Sequence, residues 1–162
     1  MVVDATEFSR SYPASNVLVL GERDDLLSPQ KSNFWLAELN KTVGQGFTIK
    51  LDTCARMIAG CQIKNKGAGA RTSWATKSFR VSGSLKEKGP WQSLVEDELA
   101  DTTKGEAAFL LNFTFKNPVE IKFLKFDLIS FWGDGGGLQY FAAIPALGKS
   151  ASVRISKLNL YN

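Results

Sequence analysis

The sequence predicts an all-β protein built as an antiparallel β-sandwich or jelly roll, on three observations. Apolar and polar residues alternate with a period of two along almost every candidate element. The segments between them are short turns rich in Gly, Ser, Asn and Lys. No stretch sustains the 3.6-residue period of an amphipathic helix. Seven or eight strands of this length, so separated, fit two packed antiparallel sheets.

The elements follow in order. Val17–Leu20 is a short, wholly apolar run and is expected as a strand. Phe47, Ile49 and Leu51 alternate with Thr48, Lys50 and Asp52, and Cys61, Ile63 and Asn65 with Gln62 and Lys64. Phe79, Val81 and Gly83 alternate with Arg80 and Ser82. Lys86 to Pro90 reads as a hairpin, flanked symmetrically by Ser82-Gly83-Ser84 and Trp91-Gln92-Ser93. Leu94 to Leu99 is expected as a short turn, and Glu96-Asp97-Glu98 within it as a solvated one. Phe109, Leu111, Phe113 and Phe115 against Leu110, Asn112 and Thr114 give the cleanest alternation. Between Val119 and Phe131 the apolar phase slips, from Ile121 and Phe123 to Leu124, Phe126 and Leu128, as a β-bulge would cause. A similar slip passes from Val153 and Ile155 to Leu158 and Leu160. One domain is expected over residues 1–162, its core at about 16–144 with a strand-like tail at 151–161; most of the eleven Phe residues fall on inward phases.

Composition narrows the chemistry. With 162 residues, 44% hydrophobic and 22% charged, the chain suits one well-buried core. The absence of histidine removes Ser-His-Asp and Cys-His triads and every His-ligated metal site. Two cysteines, Cys54 and Cys61, cannot make a Cys-rich zinc site; they are free thiols or one short bridge. The net charge of +4 is spread over scattered Lys and Arg, a solvated surface with at most a weak preference for anions, so no nucleic-acid partner is expected. No apolar run reaches the roughly 18 residues that span a bilayer as a helix. MVVDATEFSR lacks the pattern of a signal peptide, and the expectation is a cytoplasmic chain or a mature fragment restarted at Met1.

The tempting motifs carry little. Ala143 to Ser150 mimics a phosphate loop, but Pro145 interrupts it and a strand pattern follows. Asn40-Lys41-Thr42 and Asn112-Phe113-Thr114 fit the N-glycosylation acceptor and matter only in a secreted chain. The acids at Asp24-Asp25, Glu96-Asp97-Glu98 and Asp134 form no inferable catalytic pair. No enzymatic constellation and no cofactor follow.

The segment Lys125 to Phe141 stands apart. Two aromatic-rich runs flank Gly133-Asp134-Gly135-Gly136-Gly137, a turn whose glycines can take positive φ and approach another backbone closely. It is a ligand-facing loop or a hairpin connection. Trp35 is expected to plug the sandwich and Trp74 to be exposed.

Several segments together resemble the discoidin family, the coagulation factor V/VIII type C domain. Ser32-Asn33-Phe34-Trp35-Leu36-Ala37 is similar to that family's S-x-x-W opening. Phe47 to Asp52 with Ala59 to Asn65 resembles its W-V-L-D-L-G and I-x-G-I-x-I-x-N pair. Thr76 to Ser84 followed by Trp91 resembles K-F-x-V-x-x-S-x-D-G-x-x-W, and the glycine turn a YWG-GGGLQYF ending. The resemblance spans Asn16 to Ile144 and implies an eight-stranded jelly roll of the galactose-binding-like type. It further implies loops at one end, here Leu26 to Phe34, Asn40 to Gly46 and Lys66 to Thr76, that bind glycans, lipid headgroups or proteins.

Three departures qualify that likeness. No cysteine near either end could make the terminal disulfide usual in extracellular members. A lysine, Lys157, stands where many galactose-binding-like modules place a calcium-ligating glutamate; if Leu138 to Ala142 is the equivalent strand instead, it too lacks a carboxylate, so no metal is expected at that site. Residues 153–161 run beyond the usual ending. The resulting expectation is a non-catalytic module whose ligand is carbohydrate or glycoconjugate. Its contact set is Asn65, Arg71, Trp74, Trp132, Asp134 and Gln139, with Arg71 donating forked hydrogen bonds, Trp74 stacking, and Asp134, Asn65 and Gln139 holding hydroxyls. The alternatives are a protein-docking scaffold and a peripheral membrane binder. In the latter, Leu26, Leu27 and Trp74 insert while Lys31, Lys41, Lys66 and Arg71 meet anionic headgroups.

Overall fold

The computed structural model describes residues 1–18, 34–67 and 73–147. Five strands, β1 (Val2–Ala5), β3 (Gly46–Lys50), β9 (Phe123–Leu128), β6 (Ser78–Ser84) and β7 (Gln92–Glu98), form one sheet in the order β1-β3-β9-β6-β7. Four more, β2 (Trp35–Leu36), β11 (Gly137–Pro145), β4 (Arg56–Asn65) and β8 (Leu110–Ile121), form a second in the order β2-β11-β4-β8. A two-stranded ribbon of β5 (Trp74–Thr76) and β10 (Phe131–Gly133) closes one end. Every paired strand is antiparallel to its neighbour. The sandwich predicted from alternation is present.

The two sheets meet on aromatic rings. Phe126 is fully buried and stacks on Phe47 and Phe79, with centroids 5.2 and 5.7 Å away. Trp35 and Phe141 present their edges to it at 5.9 and 5.8 Å. Offset stacks and edge contacts are the arrangements that ring quadrupoles favour. Trp35 plugs the sandwich as expected, and its indole N–H donates to the Thr6 carbonyl at 2.6 Å, so the buried donor is satisfied. Cys61 and Cys54 are free thiols, and burial pushes Cys61 up to about 12.

Four elements differ from expectation. Ala14–Leu18 is a 3-10 turn rather than a strand, with Val17 pointing into the core; Val19 and Leu20 lie outside the described residues. Glu7 accepts from the Ala14 amide at 3.0 Å and the Asn16 amide bonds back to Pro13, which holds the turn. Leu94 to Leu99 is mostly strand: β7 pairs with β6, and Arg80 bridges to Glu96 across them. Its three acids are exposed along a sheet edge, on both faces of the strand, a usual protection against further pairing. The slip near Ile121 is no bulge. The chain leaves one sheet at Ile121, bends at Lys122 and enters the other at Phe123, so the inward side changes with the sheet. Phe109 and Leu111 are 74% and 41% exposed despite their clean alternation, and the odd phase turns inward only from Phe113. Alternation reports which residues share a face, not what lies opposite them. The tail at 151–161 lies outside the described residues.

Replacing Phe126 with alanine should cost about 3–5 kcal/mol of unfolding free energy, whereas Phe109→Ser should change it by less than about 0.5 kcal/mol. Urea denaturation of the two variants beside the parent chain measures both.

Candidate functional site

The glycine turn meets described parts of three connections near the start of β6: Asn40 from residues 37–45 between β2 and β3, Lys66 and Ser73 between β4 and β5, and Thr102 and Thr103 from residues 99–109 between β7 and β8. The turn does not close a hairpin, because β10 pairs with β5 while β11 pairs with β2 and β4. It carries the chain from the end ribbon into the four-stranded sheet. Gly133 alone among its glycines has positive φ, at 73°, and a Cβ there would run into the Ser73 carbonyl. Gly135 is required by space: a Cβ would sit 2.5 Å from the Trp74 ring. The close approach expected of the glycines is present, with the freedom of positive φ used at Gly133 and not at the three consecutive glycines.

Asp134 sits at the junction. Its amide donates to the Ser73 carbonyl at 2.7 Å, and its carbonyl accepts from the Asn40 amide at 3.0 Å. Its exposed carboxylate accepts from the Ser73 hydroxyl at 2.6 Å through one oxygen, Oδ2. Trp132 is half-buried beside it, its indole N–H donating to the Leu99 carbonyl at 3.0 Å and the Lys77 ammonium 4.6 Å from its ring centroid. On the other flank, Asp101 accepts from the amide and hydroxyl of Thr103 at 2.9 and 2.6 Å, and the hydroxyl above all holds its carboxyl below the usual range. Thr103 in turn borders Gly133.

Beneath this rim the polar groups are internally committed. Asn65 is 5% exposed: its amide nitrogen donates to the Thr76 and Ala100 carbonyls, and its oxygen accepts from the Lys66 and Thr76 amides. Lys66 is buried, with its ammonium 3.3 Å from the Gly67 carbonyl and 4.7 Å from the Phe34 centroid. Burial lowers it to about 8. No carboxylate pairs with it among the described residues.

No family model matches the sequence, and no curated protein matches it. Solved structures do. A family 32 carbohydrate-binding module of Clostridium perfringens NanJ, solved with galactose, aligns with a TM-score of 0.63 at 15% identity over 86% of this chain and 90% of that one. A chitosan-binding module of a Paenibacillus sp. IK-5 chitosanase/glucanase gives 0.63 at 11% identity over 88% and 92%. Allantoicase gives 0.63 at 16% over 91% of this chain but 40% of its own. The fold is the galactose-binding-like β-sandwich.

On this galactose-binding-like frame the expected contact residues separate. Asp134 and Trp132 come together at the rim. Trp74, expected exposed, is 2% exposed, because Gly135 lies flat on its ring and Phe34, Leu36 and Phe8 enclose it. Asn65 is a brace with its capacity used. Gln139 stands inside β11 where the register slips between Leu138 and Tyr140, so it is half-exposed on the sheet rather than in the turn. Arg71 lies outside the described residues, as do Leu26, Leu27 and Lys31. With Trp74 and Lys66 buried, the membrane reading loses two of its groups. Ser73, Lys77, Asp101 and Thr103 were missed; the D-x-T spacing of Asp101 and Thr103 was their one readable signal, typical of a side-chain-stabilised turn.

The folded chain releases the Lys66 proton near pH 8, against an ordinary value of 10.5, so between those values it binds fewer protons than the unfolded chain. Stability gained from Lys66 deprotonation therefore rises with pH across that window, by on the order of 2–3 kcal/mol. Denaturation of the parent chain and of Lys66→Met from pH 7 to 10.5 should show their difference narrowing by that amount. Cys61, which acts oppositely above pH 9, cancels in the difference.

Proposed function

We propose that this chain is a non-catalytic module that binds carbohydrate through the loop end of its sandwich. The observation that carries the reading is the exposed Asp134 carboxylate, fixed through its own backbone and one oxygen, beside the half-exposed Trp132 ring. A carboxylate accepts strongly from sugar hydroxyls, and an adjacent indole offers an apolar surface to the C–H face of a pyranose. Asp134 Oδ1, which accepts no hydrogen bond among the described residues, is an acceptor left for a ligand. Thr103 and Lys77 supply further polar groups near it.

Asn65 and Trp74 then act below the contact surface, holding it, and not as contacts themselves. Arg71 remains a proposed donor from the 66–73 connection, and Gln139 one at the sheet margin. The likeness to modules solved with galactose and with GalNAc-β-1,3-galactose supports this class of ligand, as does the resemblance to the discoidin family. One structural neighbour is an enzyme, allantoicase. The non-catalytic reading is supported by the carbohydrate-binding modules among the structural neighbours, and it agrees with a sequence that lacks the histidine of Ser-His-Asp and Cys-His triads.

A glycan array with the purified chain tests the proposal. Binding to at least one saccharide should fall ten- to hundred-fold or so in Asp134→Ala, the loss of one or two charge-assisted hydrogen bonds, and also fall in Trp132→Ala. No binding above background, or full binding by folded Asp134→Ala, would count against it.

A further inference from the structure

The far end of the sandwich holds a concavity. β6 runs from Phe79, paired with Leu128 near the glycine turn, to Ser84, paired with Phe123. At roughly 3.3 Å per residue its length sets the two ends about 20 Å apart. There the β6–β7 hairpin and the crossing from β8 to β9 enclose a groove of about 470 Å³. Pro90, Trp91 and Ile121 give it apolar lining, and Lys86, Gln92 and Glu120 give it polar lining.

Its walls are held in place. The Lys86 amide bonds the Ser84 hydroxyl at 3.0 Å, the Gly89 amide bonds the Lys86 carbonyl at 3.1 Å, and the Lys122 amide bonds the Ser84 carbonyl at 2.9 Å. Gly89, at φ 87°, lies against the indole so closely that a Cβ would be 2.8 Å from Trp91 Cδ1. Trp91 belongs to neither buried cluster and is half-exposed, with the Lys125 ammonium 5.6 Å from its centroid. A large ring outside the core, kept at the wall of a groove, is available to a ligand.

We propose that this groove is a second saccharide-binding site, for a unit of one or two sugar rings. Its volume lies within the roughly 300–1,000 Å³ of small-molecule sites. An indole beside an ammonium, an amide and a carboxylate offers an apolar face together with donors and acceptors, the complement of a polyhydroxylated ring. Charges of both signs disfavour a lipid tail, and the Glu120 carboxylate disfavours a phosphate. The site stands independently of the loop-end reading.

The test is an amide-resolved NMR titration of the whole chain with galactose, N-acetylglucosamine and their β-linked disaccharides. One of these sugars should move the amides of Leu85–Lys88, Trp91–Gln92 and Glu120–Ile121. Trp91→Ala and Glu120→Gln should each weaken that response at least tenfold, while Asp134→Ala leaves it intact. Glu120→Gln keeps the test open if Trp91→Ala fails to fold. Shifts confined to the loop end, no shifts at all, or an unchanged response in both groove variants would overturn the proposal.

Discussion

The loop end depends on one steric constraint: the turn from Gly133 to Gly137 lies on its neighbours with no room for side chains at the glycines. Gly133 meets the Ser73 carbonyl, Gly135 the Trp74 ring and Gly137 the Leu36 side chain. That contact seals Trp74 inward, lets Ala75 bond to the Gly135 carbonyl, and brings Asp134 between Ser73 and Asn40. Only Asp134, the one non-glycine of the five, projects outward. A turn built this way spends almost every side-chain position on packing and leaves a single carboxylate as its chemistry.

The aromatic core makes that placement rigid. Phe126 ties rings from both sheets into one cluster, Asn65 fastens Ala100 to the end of β4, and Thr102 bonds the Lys66 carbonyl just beyond it. Binding residues on a fixed frame lose less conformational entropy when they engage a ligand. The same frame explains the buried Lys66. Its stem runs along Gly137, and its ammonium is left with a carbonyl and a ring face. This is a local cost in stability within an otherwise satisfied interior, since no buried side-chain polar atom among the described residues lacks a partner.

What the sequence disclosed follows from the range of each force. Strands β3, β4 and β6 were readable because their inward residues face another sheet along their whole length, and the Lys86 to Pro90 hairpin because its turn chemistry is local. Trp35 could be placed inside because apolar neighbours surround it in sequence. Trp74 could not: Ser73 and Thr76 beside it suggested solvent, and its burial is made by Gly135 and Phe8, far away along the chain. The Ile121–Phe123 slip has the same origin, since a sheet change and a bulge produce one pattern. Asp134 and Trp132 were legible by their place beside the glycines, whereas the loop of Asp101 and Thr103 became part of the site only through the hydrogen bonds of Asn65 and Thr102.

Hydrogen exchange on the parent chain and on Gly135→Ala tests the role of the turn most directly. The parent should protect the amides of Ala75, Asp134 and Asn40. In the variant, where a methyl group meets the Trp74 ring, those three should exchange at least tenfold faster while the amides of Phe47 and Phe126 stay protected. Equal protection of Ala75 and Asp134 in both chains would contradict the account.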